Sequence, residues 1–273
     1  MVDKIETQQV IKLGVIGNPV KHSLSPQIHQ QFARQFSHVI DYQKFELNDV
    51  DLEPFVTRFF DQGGVGLNVT LPYKQRLIEI VERLSAEAGL TRSVNTLFKD
   101  NEEKIVGDTT DGKGLLLDLA RHSIDVAGKN LLIIGAGGAA ASIVGALAKA
   151  GASISIYNRT QQKAEFLIEQ FESIGKIALV DWSQEYDGVF SSISEFSESV
   201  FSQVQLNSTD GFCYDLNYGK RAKQLKSFVE KRNLGRFIDG FGMLIGQAAY
   251  SYQHWTGELP EINGVTLPIE RDK

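Results

Sequence analysis

Cysteine, proline, methionine and long hydrophobic runs are all scarce in this chain. Its single cysteine, Cys213, excludes an internal disulfide, and its apolar neighbours predict a buried strand position. No apolar run reaches the length of a membrane span, and the polar residues 1–9 lack the hydrophobic region of a signal peptide. We therefore expect a water-soluble protein in the cytoplasm.

A net positive charge and clustered metal ligands are also missing. The formal net charge of −6 argues against general nucleic-acid binding. The histidines are scattered along the chain, so no metal centre is predicted; they are His22, His29, His38, His122 and His254. With 273 residues the chain is long enough for about two domains, each with its own core.

Strand-like and helix-like segments alternate through the whole sequence, which is typical of an α/β fold. In the first half we predict strands at 13–16, 42–47, 65–70 and 94–98, with helices at 26–36, 52–61, 72–83 and 113–122. Residues 104–106 could pair with 94–98 as a hairpin. In the second half we predict strands at 131–134, 153–157, 177–180, 188–191, 212–216 and 236–238, and a final helix at 242–255.

This pattern predicts two domains. The first would be an N-terminal α/β domain at 1–112, joined by the C-terminal segment 242–273. The second, at 113–241, would be a Rossmann-like domain with a doubly wound parallel sheet, because five or six parallel strands with crossover helices form that architecture. A cleft between domains is a natural place for a small ligand.

The segment from Gly135 to Ala140 (Gly-Ala-Gly-Gly-Ala-Ala) joins an apolar strand to an alanine-rich helix. Gly135 would allow the tight turn, Gly137 would let a backbone approach a pyrophosphate, and Ala140 would allow close helix–strand packing. The helix N–H groups would favour an anion. This context favours a dinucleotide site over a glycine-rich turn without a ligand.

The tip of the next strand indicates which dinucleotide binds. Asn158 stands where an NAD-preferring site would place a carboxylate for the ribose 2′-hydroxyl. Arg159 follows it, and Lys163 lies four residues further on, close enough to share a helix face. Two cations without a carboxylate suit a 2′-phosphate, so NADP is the predicted cofactor. The alternative is a solvated basic helix start.

Several polar residues in the first half are ambiguous when each is taken alone. Lys74 could be a surface lysine, with Pro72 starting its helix, and Asp111 could be a helix N-cap. Ser23 and Ser25 are equally consistent with N-cap and turn positions. Only their combination along the chain points to a site.

A series of motifs resembles the shikimate dehydrogenase family from about residue 13 to residue 257. The motifs, in chain order, are Ser23-Leu24-Ser25-Pro26, Asn68-Val69-Thr70-Leu71-Pro72-Tyr73-Lys74, Val94-Asn95-Thr96-Leu97, Thr110-Asp111-Gly112, the glycine loop, Asn158-Arg159-Thr160 and Asp239-Gly240-Phe241-Gly242-Met243-Leu244 through Gln247-Ala248-Ala249. The resemblance implies reversible NADPH-dependent reduction of 3-dehydroshikimate to shikimate, in the route to chorismate and the aromatic amino acids.

The resemblance also implies that 1–112 is the substrate-binding and catalytic domain, and it implies the roles of individual residues. Lys74 and Asp111 would flank the carbon that gains or loses hydride. The residues implied to bind substrate are Ser23, Ser25, Thr70, Asn95, Tyr218 and Gln247. The residues implied to bind cofactor are Gly135, Ala136, Gly137, Gly138, Ala139, Asn158, Arg159, Thr160, Lys163, Leu216, Gly240 and Met243. The family forms monomers or homodimers, and the sequence does not choose between them.

The chain departs from the family pattern mainly on the cofactor side. Thr109 replaces the usual asparagine before the Thr-Asp-Gly motif, and the segment from Ser191 to Ser194 replaces Asn-Ala-Thr-Ser. Ala141 stands where an arginine often follows the glycine loop. Two alternatives stay open: a paralogue acting on quinate or another ring acid, perhaps with NAD, and a non-catalytic protein that binds shikimate or NADP.

Overall fold

The structure, a computed structural model, describes residues 9–207 and 210–267. These residues form two compact units. The first unit contains 9–110 and 248–267, and the second contains 111–207 and 210–247. The domain boundaries predicted from sequence, at 112/113 and 241/242, differ by a few residues from those of the two compact units. The functions assigned to the two domains stay predictions. Residues 268–273 of the predicted C-terminal segment lie outside the described residues.

The first unit is built on a mixed six-stranded sheet with the order β2-β1-β3-β5-β6-β4. Its strands are β1 (Ile11–Gly17), β2 (Ile40–Glu46), β3 (Gly64–Val69), β4 (Arg83–Leu84), β5 (Thr96–Lys99) and β6 (Ile105–Asp108). Its helices are α1 (Ser25–Gln35), α2 (Leu52–Asp61) and α3 (Ala86–Thr91), with 3₁₀ turns at Asp49–Asp51 and Arg76–Glu79. β1 runs parallel to β2 and β3, whereas β5 is antiparallel to β3 and β6. The predicted hairpin is thus confirmed.

Strand β1 is apolar because side chains on both faces of the sheet are buried. Leu13 and Val15 pack with Trp255 in one cluster, while Ile16 packs with Leu52 in another. Alternate residues of a strand point to opposite faces, so the two clusters lie on the two sides of the sheet. A strand buried on both faces has a continuous apolar sequence, which is why β1 could be predicted.

The second unit contains a six-stranded sheet in which every strand pair is parallel. Its strands are β7 (Asn130–Ile134), β8 (Ser153–Tyr157), β9 (Ile177–Leu179), β10 (Gly188–Ser191), β11 (Phe212–Asp215) and β12 (Arg236–Asp239). Its helices are α4 (Asp111–Arg121), α5 (Gly138–Lys149), α6 (Gln161–Phe171), α7 (Glu198–Phe201) and α8 (Lys223–Arg232), with a 3₁₀ turn at Gly219–Ala222. The order β9-β8-β7-β10-β11-β12 is that of a doubly wound dinucleotide-binding sheet. The predicted fold class is confirmed.

The last helix, α9 (Phe241–Thr256), confirms the predicted helix at 242–255. Its first residues, up to Gln247, belong to the second unit, and those from Ala248 onwards belong to the first. Its C-terminal half packs into the first unit: the Trp255 indole N–H donates to the Leu97 carbonyl at 3.0 Å.

The predicted α-helix at 72–83 is wrong. The structure has turns, the short 3₁₀ helix Arg76–Glu79 and strand β4. The Lys74 carbonyl accepts from the Val94 N–H at 2.8 Å, while the Ile78 N–H donates to the Gln75 carbonyl at 3.3 Å. A bond to a distant segment therefore occupies a carbonyl that a continuous helix would use internally.

Candidate functional site

Loops that follow parallel strands meet at one edge of the first unit's sheet. The Thr70 N–H donates to the Ile16 carbonyl at 3.0 Å, and the Asn18 N–H donates to the Leu71 carbonyl at 3.0 Å. These bonds join the segment after β1 to the segment after β3. The loop containing Ser23 and the turn containing Lys74 therefore begin side by side.

The same edge receives the segment from Val94 to Thr96. The Val94 N–H bonds to the Lys74 carbonyl, and the Val69 N–H donates to the Asn95 carbonyl at 2.8 Å. Because β5 is antiparallel to β3, its beginning lies beside the end of β3. The predicted residues Thr70, Lys74 and Asn95 thus belong to one backbone-bonded cluster in the first unit.

The Asn95 side chain is buried and bonded to the end of the first unit's central hairpin. Its Oδ1 accepts from the Thr110 N–H at 3.0 Å, and its Nδ2 donates to Thr110 Oγ1 at 3.0 Å. Thr110 is fully buried and directly precedes Asp111. Asp111 is the first residue of α4, in the second unit. Asp111 therefore directly follows the residue, Thr110, that is bonded to the Asn95 amide.

The two predicted serines form a compact pair at the start of α1. Ser23 Oγ donates to Ser25 Oγ at 3.2 Å and accepts from the Ser25 N–H at 3.3 Å. Leu24, not a serine, occupies the N-cap position and makes no side-chain cap. The N-cap interpretation of these serines is therefore wrong, and the two hydroxyls form a pair in the segment that follows β1.

In the second unit, the glycine loop follows the central strand β7. Gly135 has φ of +115°, a conformation that L side chains rarely adopt, and a Cβ there would lie 2.2 Å from Ser192 Oγ. Gly137 and Gly138 are exposed, and a Cβ on either would meet nothing within 4 Å. The loop is tightly packed where the chain turns and open at the beginning of α5, where the first N–H groups of a helix lack intrahelical partners.

The alanines of the glycine loop leave the beginning of α5 open enough to receive an anion. Ala136 is half-buried and Ala139 is exposed, whereas Ala140 is completely buried against the sheet. The Ala136 N–H donates to Asn158 Oδ1 at 3.1 Å. Asn158 thus holds the loop in shape and is not simply a surface residue at the tip of β8.

The cations predicted to select NADP follow Asn158. Asn158 Nδ2 donates to the Thr160 carbonyl at 2.9 Å, which fixes the turn into α6. Arg159, Thr160 and Lys163 are all exposed. The glycine loop and this cationic turn are bridged by one amide, so the residues present fit a dinucleotide with a 2′-phosphate.

Further predicted residues lie after β11 and β12. The Leu216 N–H donates to the Ser191 carbonyl at 2.9 Å, and a Cβ on Gly240 would lie 2.2 Å from the Leu216 carbonyl oxygen. Gly240 is therefore required by close backbone packing. The Tyr218 ring lies 6.4 Å from that of Phe241, and burial raises the pKa of its hydroxyl.

Asp215 is a buried carboxyl beside these residues. Burial raises its pKa to about 6, with a smaller contribution from Asp239 in the same direction, although hydrogen bonds from Asn217 oppose the shift. Met243 and Gln247 are half-buried on α9, and Gln247 Nε2 donates to the Leu244 carbonyl at 2.8 Å.

Two classes of feature are absent from residues 9–207 and 210–267. Within that part of the chain no group of three histidine, cysteine or acidic side chains could hold a metal ion. Over the same residues no helix is long and apolar enough to cross a membrane.

Comparisons with known proteins agree with the two-unit architecture. Residues 15–97 match the shikimate dehydrogenase substrate binding domain, residues 118–210 match shikimate / quinate 5-dehydrogenase, and residues 240–265 match the shikimate 5′-dehydrogenase C-terminal domain. A shikimate dehydrogenase (NADP(+)) of Shewanella woodyi is 37% identical over 267 residues, covering 96% of this chain and 97% of the relative. The chain belongs to the shikimate dehydrogenase family.

Solved structures support the assignment. An Ael1 enzyme from Pseudomonas putida superposes with a TM-score of 0.83 and 31% identity, over 95% of this chain and 100% of the other. Shikimate 5-dehydrogenase from Thermus thermophilus, in complex with NADP(H) and shikimate, gives a TM-score of 0.80 and 26% identity, over 93% of this chain and 97% of the other. The predicted family resemblance is confirmed.

Two departures from the shikimate dehydrogenase pattern have clear structural consequences. Thr109 is buried, and its Oγ1 has no hydrogen-bond partner, so the threonine does not replace the polar contacts of an asparagine. Ser192 bonds the end of β7 through both its N–H and its hydroxyl, which reach the Ile134 carbonyl at 2.9 and 3.1 Å. The segment from Ser191 to Ser194 is therefore hydrogen-bonded to the residue that directly precedes the glycine loop.

A buried polar cluster that adjoins Asn95 was not predicted from the sequence. It consists of His29, Tyr42, Asn68, Thr96 and Ser251, which are all buried. Asn68 and Thr96 stand inside recognisable family motifs, but nothing in the sequence marks His29, Tyr42 or Ser251 as their neighbours.

Proposed function

We propose that this protein is an NADP-dependent shikimate dehydrogenase that reversibly reduces 3-dehydroshikimate to shikimate. The observation that carries the proposal is the hydrogen-bonded convergence of Thr70, Lys74 and Asn95 in the first unit. These residues come from separate family motifs, and the fold gathers them at one sheet edge. Near-full-length similarity to curated NADP-dependent relatives supports the same activity.

The substrate-side residues suit a polyhydroxylated ring acid. Ser23, Ser25 and Thr70 offer hydroxyls, and Asn95 and Gln247 offer amides. Such a site rejects analogues that lack a hydroxyl, because its polar groups would be left without partners. We assign the carboxylate and neighbouring hydroxyls of the substrate to the two serines and Thr70, with Tyr218 completing the lining.

Lys74 and Asp111 are the proposed reacting pair. Reduction of a ketone puts hydride on carbon and a proton on oxygen, and alkoxide charge develops between these events. The Lys74 ammonium stabilises that charge, and Asp111 orients the lysine and binds a substrate hydroxyl.

The second unit is the proposed NADP-binding part. Bound NADPH supplies the hydride. The open start of α5 at Gly137 and Gly138 receives the pyrophosphate, and Arg159 and Lys163 bind the 2′-phosphate. Leu216, Gly240 and Met243 line the nicotinamide end. A cytoplasmic location and the choice between monomer and homodimer stay predictions.

The test is NADP⁺ reduction by the purified protein, followed at the NADPH absorbance band, with shikimate and quinate each paired with NADP⁺ and NAD⁺. We expect the shikimate–NADP⁺ pair to react fastest. Faster turnover of quinate would favour the paralogue, an alternative that the name of the family matched by residues 118–210 also keeps open. Calorimetric binding of shikimate without any absorbance change would identify a non-catalytic binding protein.

Lys74→Ala tests the mechanism directly. We expect kcat to fall at least ~100-fold, the low end for loss of an acid–base group, while NADP⁺ still binds. Lys12→Ala is the matched control, because Lys12 is exposed near the beginning of β1, and its Nζ donates to the Gln62 carbonyl. Near-normal turnover in Lys74→Ala would remove this lysine from the mechanism.

A further inference from the structure

Ser251 lies at the centre of the buried polar cluster, on α9. It is completely buried, and its Oγ accepts from Asn68 Nδ2 at 2.9 Å. The same oxygen lies 2.6 Å from Thr96 Oγ1 and 3.4 Å from Thr110 Oγ1. One hydroxyl from the C-terminal helix thus contacts side chains from three separate segments of the first unit.

The orientation of the Asn68 amide is fixed by the contacts of its carbonyl oxygen, on the side away from Ser251. Asn68 Oδ1 accepts from the Tyr42 hydroxyl at 2.7 Å and contacts His29 Nε2 at 3.0 Å. His29 is fully buried and burial lowers its pKa to about 3, so its ring is neutral with the proton on Nε2. Two donors therefore hold the carbonyl end, and the NH₂ end must face Ser251.

The donor and acceptor roles of the Thr96 and Ser251 hydroxyls follow from these contacts. Thr96 Oγ1 donates its single proton to Asn95 Oδ1 at 2.8 Å. In the contact with Thr96, Ser251 must therefore be the donor. The hydrogen bonds run in one direction, from Asn68 through Ser251 and Thr96 to the Asn95 carbonyl.

This chain of hydrogen bonds determines which end of the Asn95 amide is the donor. Asn95 Oδ1 accepts from the Thr96 hydroxyl and from the Thr110 N–H, whereas Nδ2 donates to the Thr110 hydroxyl at 3.0 Å. A flipped amide would place NH₂ against two donors, which is unfavourable in a buried site. The amide is thereby set before any substrate binds.

We propose that Ser251 is a positioning residue for shikimate binding. Its hydroxyl fixes the Asn95 amide through Thr96 and is bonded on its other side to the Asn68 amide. The inference rests on the proposed function, because it takes Asn95 as a substrate-binding group. Ser251 itself contacts neither substrate nor cofactor in this assignment. It lowers the cost of ordering the site when the substrate binds.

Ser251→Ala removes the hydroxyl with little change of volume. We expect KM and the calorimetric Kd for shikimate to rise about tenfold, comparable to loss of one hydrogen bond at a substrate-binding group. We expect kcat and KM for NADP⁺ to stay within about twofold, since the reacting groups and the second unit retain their contacts. A purely structural role would lower the melting temperature without this selective change in shikimate binding.

Thr256→Ala is the matched control on the same helix. Its hydroxyl donates to the Tyr252 carbonyl of its own helix at 2.9 Å and is outside the cluster. Thr96→Val is the second variant, which keeps the test possible if Ser251→Ala does not fold. If the hydrogen-bonded chain acts as one unit, the double variant should bind shikimate about as weakly as either single variant.

Three results would overturn the proposal: shikimate affinity of Ser251→Ala within about twofold of wild type, a fall confined to kcat, or effects of the two substitutions that multiply. Absence of activity in the wild-type protein would instead contradict the proposed function. The two failures are distinguishable because the wild-type assay precedes every variant.

Discussion

His29 is enclosed by aromatic rings in the first unit, with no exposed surface. Its ring stacks on Tyr42 at 4.7 Å between centroids and lies 5.1 Å from Trp255. Nε2 is bonded to Asn68, whereas Nδ1 has no hydrogen-bond partner. A protonated ring would place a charge and a second N–H in surroundings that offer that atom no acceptor.

This burial predicts a loss of stability in mild acid. Burial lowers the His29 pKa from 6.5 to about 3, so below pH 6.5 the unfolded chain binds a proton that the folded chain excludes. Stability from this residue is present above pH 6.5 and is lost as the pH falls towards 3. Between about pH 7.5 and about pH 5 the loss amounts to roughly 2 kcal/mol.

The measurement is urea unfolding of wild type and His29→Gln at both pH values. The glutamine can still donate to Asn68 but does not titrate, so it is expected to be less stable at pH 7.5 because stacking is lost. The difference between the two proteins should narrow by roughly 2 kcal/mol at pH 5. An equal difference at the two pH values would show that His29 does not titrate between the folded and unfolded states as argued.

At the scale of elements, α4 and α9 approach at backbone distance within the second unit. A Cβ on Gly114 would lie 2.4 Å from the Gln247 backbone nitrogen, and a Cβ on Gly246 would lie 2.7 Å from the Gly114 carbonyl oxygen. The glycines therefore place Gln247, a proposed substrate-binding residue, by allowing its backbone to lie against α4.

Gly114→Ala is expected to destabilise the protein although alanine is the better helix former. Backbone atoms block the new methyl group, so the helices must separate, at a cost of about 1–3 kcal/mol. Gly89→Ala is the control: Gly89 is exposed in α3, and a Cβ there meets nothing within 4 Å, so a gain of up to ~1 kcal/mol is expected. Urea unfolding measures both, and a shift of the same sign in both would contradict the close-approach argument.

The elements that could be predicted are those whose sequence pattern records their burial. β7 is apolar from Leu131 to Ile134 and buried throughout, and the glycines after it mark a strand-to-helix turn. The segment 72–83 has helical apolar spacing, yet it does not form an α-helix, because the Lys74 carbonyl accepts a hydrogen bond from the Val94 N–H. A hydrogen bond between residues twenty apart leaves no signal in either segment.

At the scale of the whole molecule, the candidate site could be predicted only from motifs in series. Lys74 and Asn95 are ordinary residues one by one, and the order of their motifs reveals the family. The supporting cluster could not be predicted, because Tyr42, Asn68 and Ser251 meet only after the chain has folded. Their geometry depends on α9 returning to the first unit after the second has been completed.

The net charge of the molecule makes its choice of an anionic cofactor depend on local cations. A formal charge of −6 opposes both anionic cofactors, and it opposes NADP⁺ more because of the additional phosphate, so the preference for the 2′-phosphate rests on Arg159 and Lys163. Both side chains are exposed. We expect Arg159→Ala to weaken NADP⁺ much more than NAD⁺, measured as KM for each cofactor at saturating shikimate.

Salt should reduce the same preference, because the Debye length falls from about 10 Å at 0.1 M to about 3 Å at 1 M salt. The ratio of KM values, NAD⁺ over NADP⁺, is expected to decrease several-fold over that range in wild type and to decrease less in Arg159→Ala, in which Lys163 remains. Lys226→Ala is the control, since it removes an exposed cation of α8 that pairs with Glu230 and should leave the ratio intact. If the ratio for Arg159→Ala equals the wild-type ratio at low salt, other groups recognise the 2′-phosphate. Equal effects of Arg159→Ala and Lys226→Ala would attribute the preference to net charge alone.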